Sequence, residues 1–295
     1  MHPVLFQIGG ITVYSYGVLV ALGVLLGLWY ARREAPRLGL NPDYVWNLGI
    51  YMVLVALVVA KIWLVLSSWD YYEASLHEIF GTVAANHSTF SQQMGNLRAM
   101  FMQVLQSGGT FYGGVVGAML TIIIYTYVKK ISILPLLDTF AFAVPLGHSI
   151  GRLGCLAAGC CYGKPTTVPW AVTFKSELAE HLAGTPLGVP LHPTQIYEST
   201  VEFLNFLIIV WLAKRQRFTG QLVGTYFLLY GFERGTIEFF RGDPGRTLMF
   251  HNSVSLMQLT SVALILTGGF LWWRGLRGEA PMAPAPTAVS PAGGQ

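Results

Sequence analysis

Tyr230, Arg234, Glu238 and Arg241 interrupt one apolar stretch at spacings of 4, 4 and 3, which at about 100° per residue confines them to one narrow helical stripe. A second stretch carries Gln195, Glu198, Glu202 and Asn205 along one side, with His192 and Pro193 just before it. Ionisable groups inside an apolar helix are costly, so each must face protein or water, and each is a candidate site residue. The two stripes are expected to oppose each other, Glu198 or Glu202 neutralising Arg241 or Arg234. The bland alternative is a set of interhelical ion pairs that fixes packing and does no chemistry. Arg152 has no carboxylate at i±4, and Arg234 has only Glu238. A partly unpaired guanidinium in a dry cavity attracts an anion, in a membrane most commonly a lipid phosphate, which its planar fork can grip with two parallel hydrogen bonds. Arg152 also opens a glycine-rich run with Gly154, Gly159 and Gly163, and Gly108 to Gly114 with Gly117 form a similar run upstream. Such runs let backbone approach a ligand or a neighbouring helix closely.

The elements that position these residues follow from composition. The chain has 295 residues, 53% hydrophobic and 11% charged, with a mean hydropathy of +0.53. That is far less charge than the roughly 25% of a soluble domain and indicates a polytopic membrane protein. A formal charge of +4 from dispersed basic residues is too small to imply a nucleic-acid surface, and no nucleic-acid partner is expected. Seven apolar stretches near the roughly 20 residues that cross a bilayer occur at 11–30, 45–69, 110–128, 131–150, 196–213, 221–241 and 254–273. Basic clusters at Arg32, Arg33 and Arg37, at Lys129 and Lys130, at Lys214, Arg215 and Arg217, and at Arg274 and Arg277 then share one side. The positive-inside rule makes that side cytoplasmic, with the N-terminus outside. The expected fold is an all-α bundle of seven transmembrane helices over 1–278, with outer segments at 70–107, interfacial or solvated, and 164–194, and a disordered cytoplasmic tail at 279–295. The first ten residues hold no basic n-region, so the first span reads as retained.

Five motifs in register over about Pro3 to Gln258 resemble the phosphatidylglycerol:prolipoprotein diacylglyceryl transferase family. They are Tyr16-Gly17, the Gly108 to Gly114 block, Gly151-Arg152-Leu153-Gly154, His192 to Glu198, and Tyr230 to Arg234 with Glu238 to Arg241. The resemblance implies transfer of the diacylglyceryl group of phosphatidylglycerol to the lipobox cysteine thiol of a preprolipoprotein. A thioether forms and glycerol 1-phosphate leaves, with no metal or organic cofactor, in a bacterial inner membrane. It implies Arg152 and Arg234 on the lipid phosphate, Tyr16 with Gly113, Gly114 and Gly154 around the lipid, and the signal segment beside Tyr112 and Gly113. The cavity would open laterally to the outer leaflet. Glu198, Glu202, Glu238, Arg241, His192 and Lys61 are expected to support this site.

Departures from the family pattern cluster near the chemistry. Tyr112 replaces a histidine often proposed as the base, Cys155, Ala158 and Cys160 replace two asparagines and a glutamate, and Lys61 replaces an arginine. A tyrosine with pKa about 10 is a poor base at neutral pH, and His148, one turn before Arg152, is the expected substitute, ahead of His192. Cys155, Cys160 and Cys161 fit three readings: small packing residues, a disulfide with one thiol left over, or metal or redox chemistry. Two other functions stay open: a paralogue with another acceptor, and a transporter or binding protein for an anionic lipid or organic phosphate.

Overall fold

In hydrocarbon no water satisfies the backbone, so apolar runs close their hydrogen bonds internally as helices. A computed structural model describes residues 3–8, 11–85, 90–106, 110–243, 248–249 and 254–278. A short antiparallel hairpin, β1 (Val4–Ile8) with β2 (Ile11–Tyr14), leads into α1 (Ser15–Glu34) and a single 3₁₀ turn. Then come α2 (Pro42–Ser67), α3 (Trp69–Ala85), α4 (Phe90–Gln106), α5 (Phe111–Lys129) and α6 (Ile133–Ala158). The strand pair β3 (Val172–Thr173) and β4 (Pro190–Leu191) brackets the short α7 (Glu177–Ala183). The chain continues through α8 (Thr194–Ala213), α9 (Gln221–Ile237), the pair β5 (Leu248–Met249) and β6 (Val254–Ser255), and α10 (Leu256–Leu276).

Six of the described helices are long and apolar enough to cross a membrane: α1 with its 3₁₀ turn, α2, α5, α6, α8 and α10. The chain is a helical membrane protein. The expected sixth span is α9, which has 17 residues and carries Glu233 and Arg234, so it falls short of that standard. The first span begins at Ser15 and not at residue 11, because residues 11–14 pair in β2. The fourth extends to Ala158, beyond the expected end at 150. The 70–107 segment holds two helices, α3 and α4. The tail at 279–295 lies outside the described residues.

The chain forms two compact units, 1–46 with 134–295, and 47–133. In the first, small residues at i and i+4 set the helix contacts. A Cβ on Gly23 would fall 2.6 Å from the Gly147 carbonyl oxygen, and one on Gly27 would fall 2.6 Å from that of Ala143. Nothing larger than glycine therefore fits at positions 23 and 27, where α1 lies on α6. Phe142 on α6, Phe206 on α8 and Tyr30 on α1 join the apolar core, with Tyr30 and Phe206 centroids 5.0 Å apart. The fully buried Asp138 of α6 caps α9: it accepts from the backbone nitrogens of Gly220 at 2.6 Å and Val223 at 2.9 Å, and from Gln216 Nε2 at 2.8 Å. That satisfies the amides a helix start leaves unpaired. In the second unit Gly113 and Gly117 of α5 lie against Ala60 and Ala56 of α2; a Cβ on Gly113 would fall 2.8 Å from Ala60 Cα.

Candidate active site

One helical turn separates His148 from Arg152 on α6, and one turn separates Glu198 from Glu202 on α8. The two pairs meet rung to rung. Arg152 Nη2 forms an ion pair with Glu198 Oε2, and His148 Nδ1 lies 2.7 Å from Glu202 Oε1. Arg152 Nε donates to His148 Nε2 at 3.1 Å and closes the ladder. A guanidinium can only donate, so Nε2 is the lone-pair nitrogen and Nδ1 carries the proton given to Glu202. Glu198 and Glu202 are fully buried. The α9 face covers the ladder: Tyr226 Oη donates to Glu202 Oε1 at 3.2 Å, Tyr226 stacks on Tyr230 at 5.7 Å, and Tyr230 meets the His148 ring edge at 5.8 Å.

Arg234, on the same α9 stripe, is 6% exposed. Its Nη2 pairs with Glu238 Oε2 at 3.1 Å, while Nη1 makes no hydrogen bond among the described residues. Tyr230 lies within electrostatic reach of both Arg234 and Arg152, so two guanidinium groups converge on one phenol. Beside them Asn205 Nδ2 donates to Glu233 Oε2 at 2.9 Å.

The expected cross-pairing of α8 carboxylates with α9 arginines does not form. The carboxylates of α8 reach Arg152 and His148 of α6, while Arg234 near the end of α9 takes Glu238, and Arg241, beyond the end of α9 at Ile237, takes Asp243. Arg241 grips Asp243 with both sides of its fork, Nε to Oδ1 at 2.7 Å and Nη2 to Oδ2 at 2.6 Å. Its backbone bridges Gly163, which ties the end of α9 to the segment after α6. His192 stands apart from the ladder, with Nδ1 3.2 Å from Tyr197 Oη and its ring against Phe240 at 5.3 Å.

Tyr16 is half-exposed, and its backbone contacts α6 where a Cβ on Gly154 would fall 3.3 Å from Tyr16 Cα. Tyr112, Gly113, Gly114 and Lys61 belong to the second unit. There Gly113 serves the α2 contact, a Cβ on Gly114 would fall 4.0 Å from the Ala56 carbonyl oxygen, and Lys61 Nζ donates to the Val104 carbonyl at 2.9 Å. Lys61 also lines a cavity of about 770 Å³ with Trp69, Tyr72, Leu97, Arg98 and Phe101. Gly108 and Gly109 of the upstream motif lie outside the described residues. Glu233, Tyr226 and Asp138 were not singled out from the sequence. An acidic residue in an apolar helix, and a tyrosine one turn before Tyr230, were the available signals.

Just past Arg152 the three cysteine sulfurs lie within 4.8 Å of one another. Cys160 Sγ donates to the Cys155 carbonyl oxygen at 3.8 Å.

A multi-pass helical scaffold that sets Arg152 and His148 against the buried Glu198 and Glu202, with the Arg234–Glu238 pair on α9, defines a helical membrane protein with ionisable groups inside its helices. The model of the family described as prolipoprotein diacylglyceryl transferase matches residues 3–274. The chain is 32% identical to the phosphatidylglycerol–prolipoprotein diacylglyceryl transferase of Finegoldia magna over 92% of its own length and 94% of the relative's. For the Clostridium tetani protein of that name the identity is 29% over 92% and 97%. The chain belongs to the prolipoprotein diacylglyceryl transferase family, as its five motifs led one to expect.

Proposed function

We propose that the chain moves the diacylglyceryl group of phosphatidylglycerol onto the cysteine thiol of a prolipoprotein, the first step of lipoprotein maturation, with Arg152 and Arg234 receiving the lipid phosphate. The observation that carries this reading is the buried Arg234 guanidinium, whose Nη1 has no hydrogen-bond partner among the described residues. Glu238 takes one edge of that guanidinium and fixes its plane, which leaves donors for a phosphate oxygen. Charge-assisted bonds of this kind, in a site with little water, stabilise the negative charge that grows on a departing phosphate ester.

The reaction needs a thiolate. His148 is the base in this reading: Glu202 holds its Nδ1–H, as the third member of a catalytic triad orients its imidazole. Its Nε2 lone pair accepts from Arg152, so a phosphate that draws Arg152 toward itself frees that lone pair for the thiol proton. The sulfur then bonds to the glycerol carbon, the carbon–oxygen bond to phosphate breaks, and glycerol phosphate leaves with the electron pair. Phosphate binding and base activation are thereby linked through one side chain.

Tyr16 and Gly154 lie where α1 meets α6 and line the lipid's approach in this reading, and the acceptor's signal segment runs along α5 by Tyr112 and Gly113. The topology is seven spans, with α9 the short one, the N-terminus outside and the basic clusters on the cytoplasmic side of a bacterial inner membrane. The test is complementation of a strain depleted of its own diacylglyceryl transferase, with mass analysis of a reporter lipoprotein. A diacylglyceryl thioether on the reporter supports the proposal. An unmodified reporter at good expression points to a paralogue with another acceptor or to a transporter.

A further inference from the structure

The turn after α6 is built with unusual backbone. Gly159 ends the helix at φ 84°, and Cys161 takes φ 59°, a left-handed conformation that is strained for a residue with a side chain and persists only where surroundings enforce it. Three consecutive carbonyls supply that enforcement: Thr185 Oγ1 donates to Gly159 O at 2.9 Å, Gln195 Nε2 to Cys160 O at 2.7 Å, and Thr194 Oγ1 to Cys161 O at 2.7 Å. The result is that Cys160 and Cys161 turn back toward Cys155 in the last turn of α6, all three sulfurs lying within 4.8 Å of one another.

We infer that Cys155, Cys160 and Cys161 form a binding site for a thiophilic metal ion, held by three thiolates. Zinc–thiolate bonds near 2.3 Å set neighbouring sulfurs about 3.8 Å apart, so closing the trio on an ion takes a shift of about 1 Å. Three sulfur donors suit the soft, filled-shell ions: zinc(II), with its fourth position left to another ligand, or copper(I) in a three-coordinate site. A disulfide would use two sulfurs and leave the convergence of the third without a purpose. Arg152 and Arg241 lie within electrostatic reach of Cys161, and their positive charge offsets that of a site carrying three thiolates and one cation. A bound ion would cross-link the end of α6 to the segment that Arg241 holds, close to the ladder, and would do so at two of the three positions where the family pattern has asparagine or glutamate. It takes no part in the transfer reaction.

The test uses the full chain, purified in detergent under reducing conditions, equilibrated in separate samples with zinc(II) and copper(I), desalted and measured for metal per protein. The expected result is one equivalent of one of the two ions, three thiols that resist alkylation until a chelator is added, and loss of the equivalent in Cys155→Ser, Cys160→Ser and Cys161→Ser. Which ion is retained identifies the site's metal. Alkylation of the native chain needs no variant, so a serine variant that does not fold leaves the inference testable. Retention of neither ion above the variants' background, a Cys155 disulfide found by mass mapping of chain prepared without reductant, or thiols equally reactive with and without chelator would overturn it.

Discussion

The ladder of the first unit and the cavity of the second both hold cations inside apolar walls, but they use them differently. Arg152 and Arg234 sit among Glu198, Glu202, Glu233, Glu238 and His148, the four carboxylates and Arg234 buried and Arg152 and His148 partly so, and Arg234 keeps an N–H with no protein acceptor among the described residues. Lys61 instead donates to a backbone carbonyl in a space of about 770 Å³ whose other named walls, Arg98 apart, are aromatic or aliphatic. In the proposed reading the guanidinium, held on one edge with an unpaired donor on the other, receives an oxyanion, whereas the Lys61 ammonium, set against a carbonyl among rings, serves packing. The lesson is that charge alone does not mark the chemistry; geometry that leaves a donor in place does.

Variants can break this contrast or sharpen it. Arg234→Ala has the largest expected effect, a loss of about 10³-fold or more in transfer to a reporter prolipoprotein at near-normal amounts of folded protein in the membrane. Unchanged turnover there would erase the distinction between the two units. His148→Gln comes next, with a fall of about 10²-fold from the lost base, while His192→Gln, outside the ladder, stays within about threefold of the parent. Equal losses in both would move the base away from α6. Arg152→Lys keeps the charge but loses the fork that serves Glu198 and His148 together, and is expected to cost about tenfold in kcat/KM. Lys61→Met has the smallest expected effect, within about twofold in the same assay; a loss matching that of Arg234→Ala would make the second unit part of the phosphate site.

Much of the site was legible in the sequence because charges at i and i+4 in an apolar helix have few explanations. His148 with Arg152, Glu198 with Glu202, and Arg234 with Glu238 could each be placed on one face from spacing alone. Their partners could not. Which faces abut is set by contacts between helices far apart in the chain, such as α6 with α8, that spacing within one helix does not encode. The expected opposition of Glu198 to Arg241 is replaced by a pair with Arg152, while Arg241 takes Asp243. Asp138 reads as one charge in an apolar run, and its cap on α9 is a contact across about 80 residues that no local pattern announces. Among the described residues six of the seven expected spans have the length and apolarity of a crossing helix, and α9, with 17 residues and the charges of Glu233 and Arg234, does not. The convergence of the three cysteines was hidden for another reason: it depends on a left-handed Cys161, and no sequence rule assigns that conformation to cysteine.

The central claim is that the open edge of Arg234 receives the phosphate of the lipid. Equilibrium binding of short-chain phosphatidylglycerol to the purified full-length chain in detergent, compared among the parent, Arg234→Ala and Lys61→Met, tests it most directly. The account predicts affinity weakened by about tenfold or more in Arg234→Ala and unchanged in Lys61→Met. Parent-like binding by folded Arg234→Ala would contradict it.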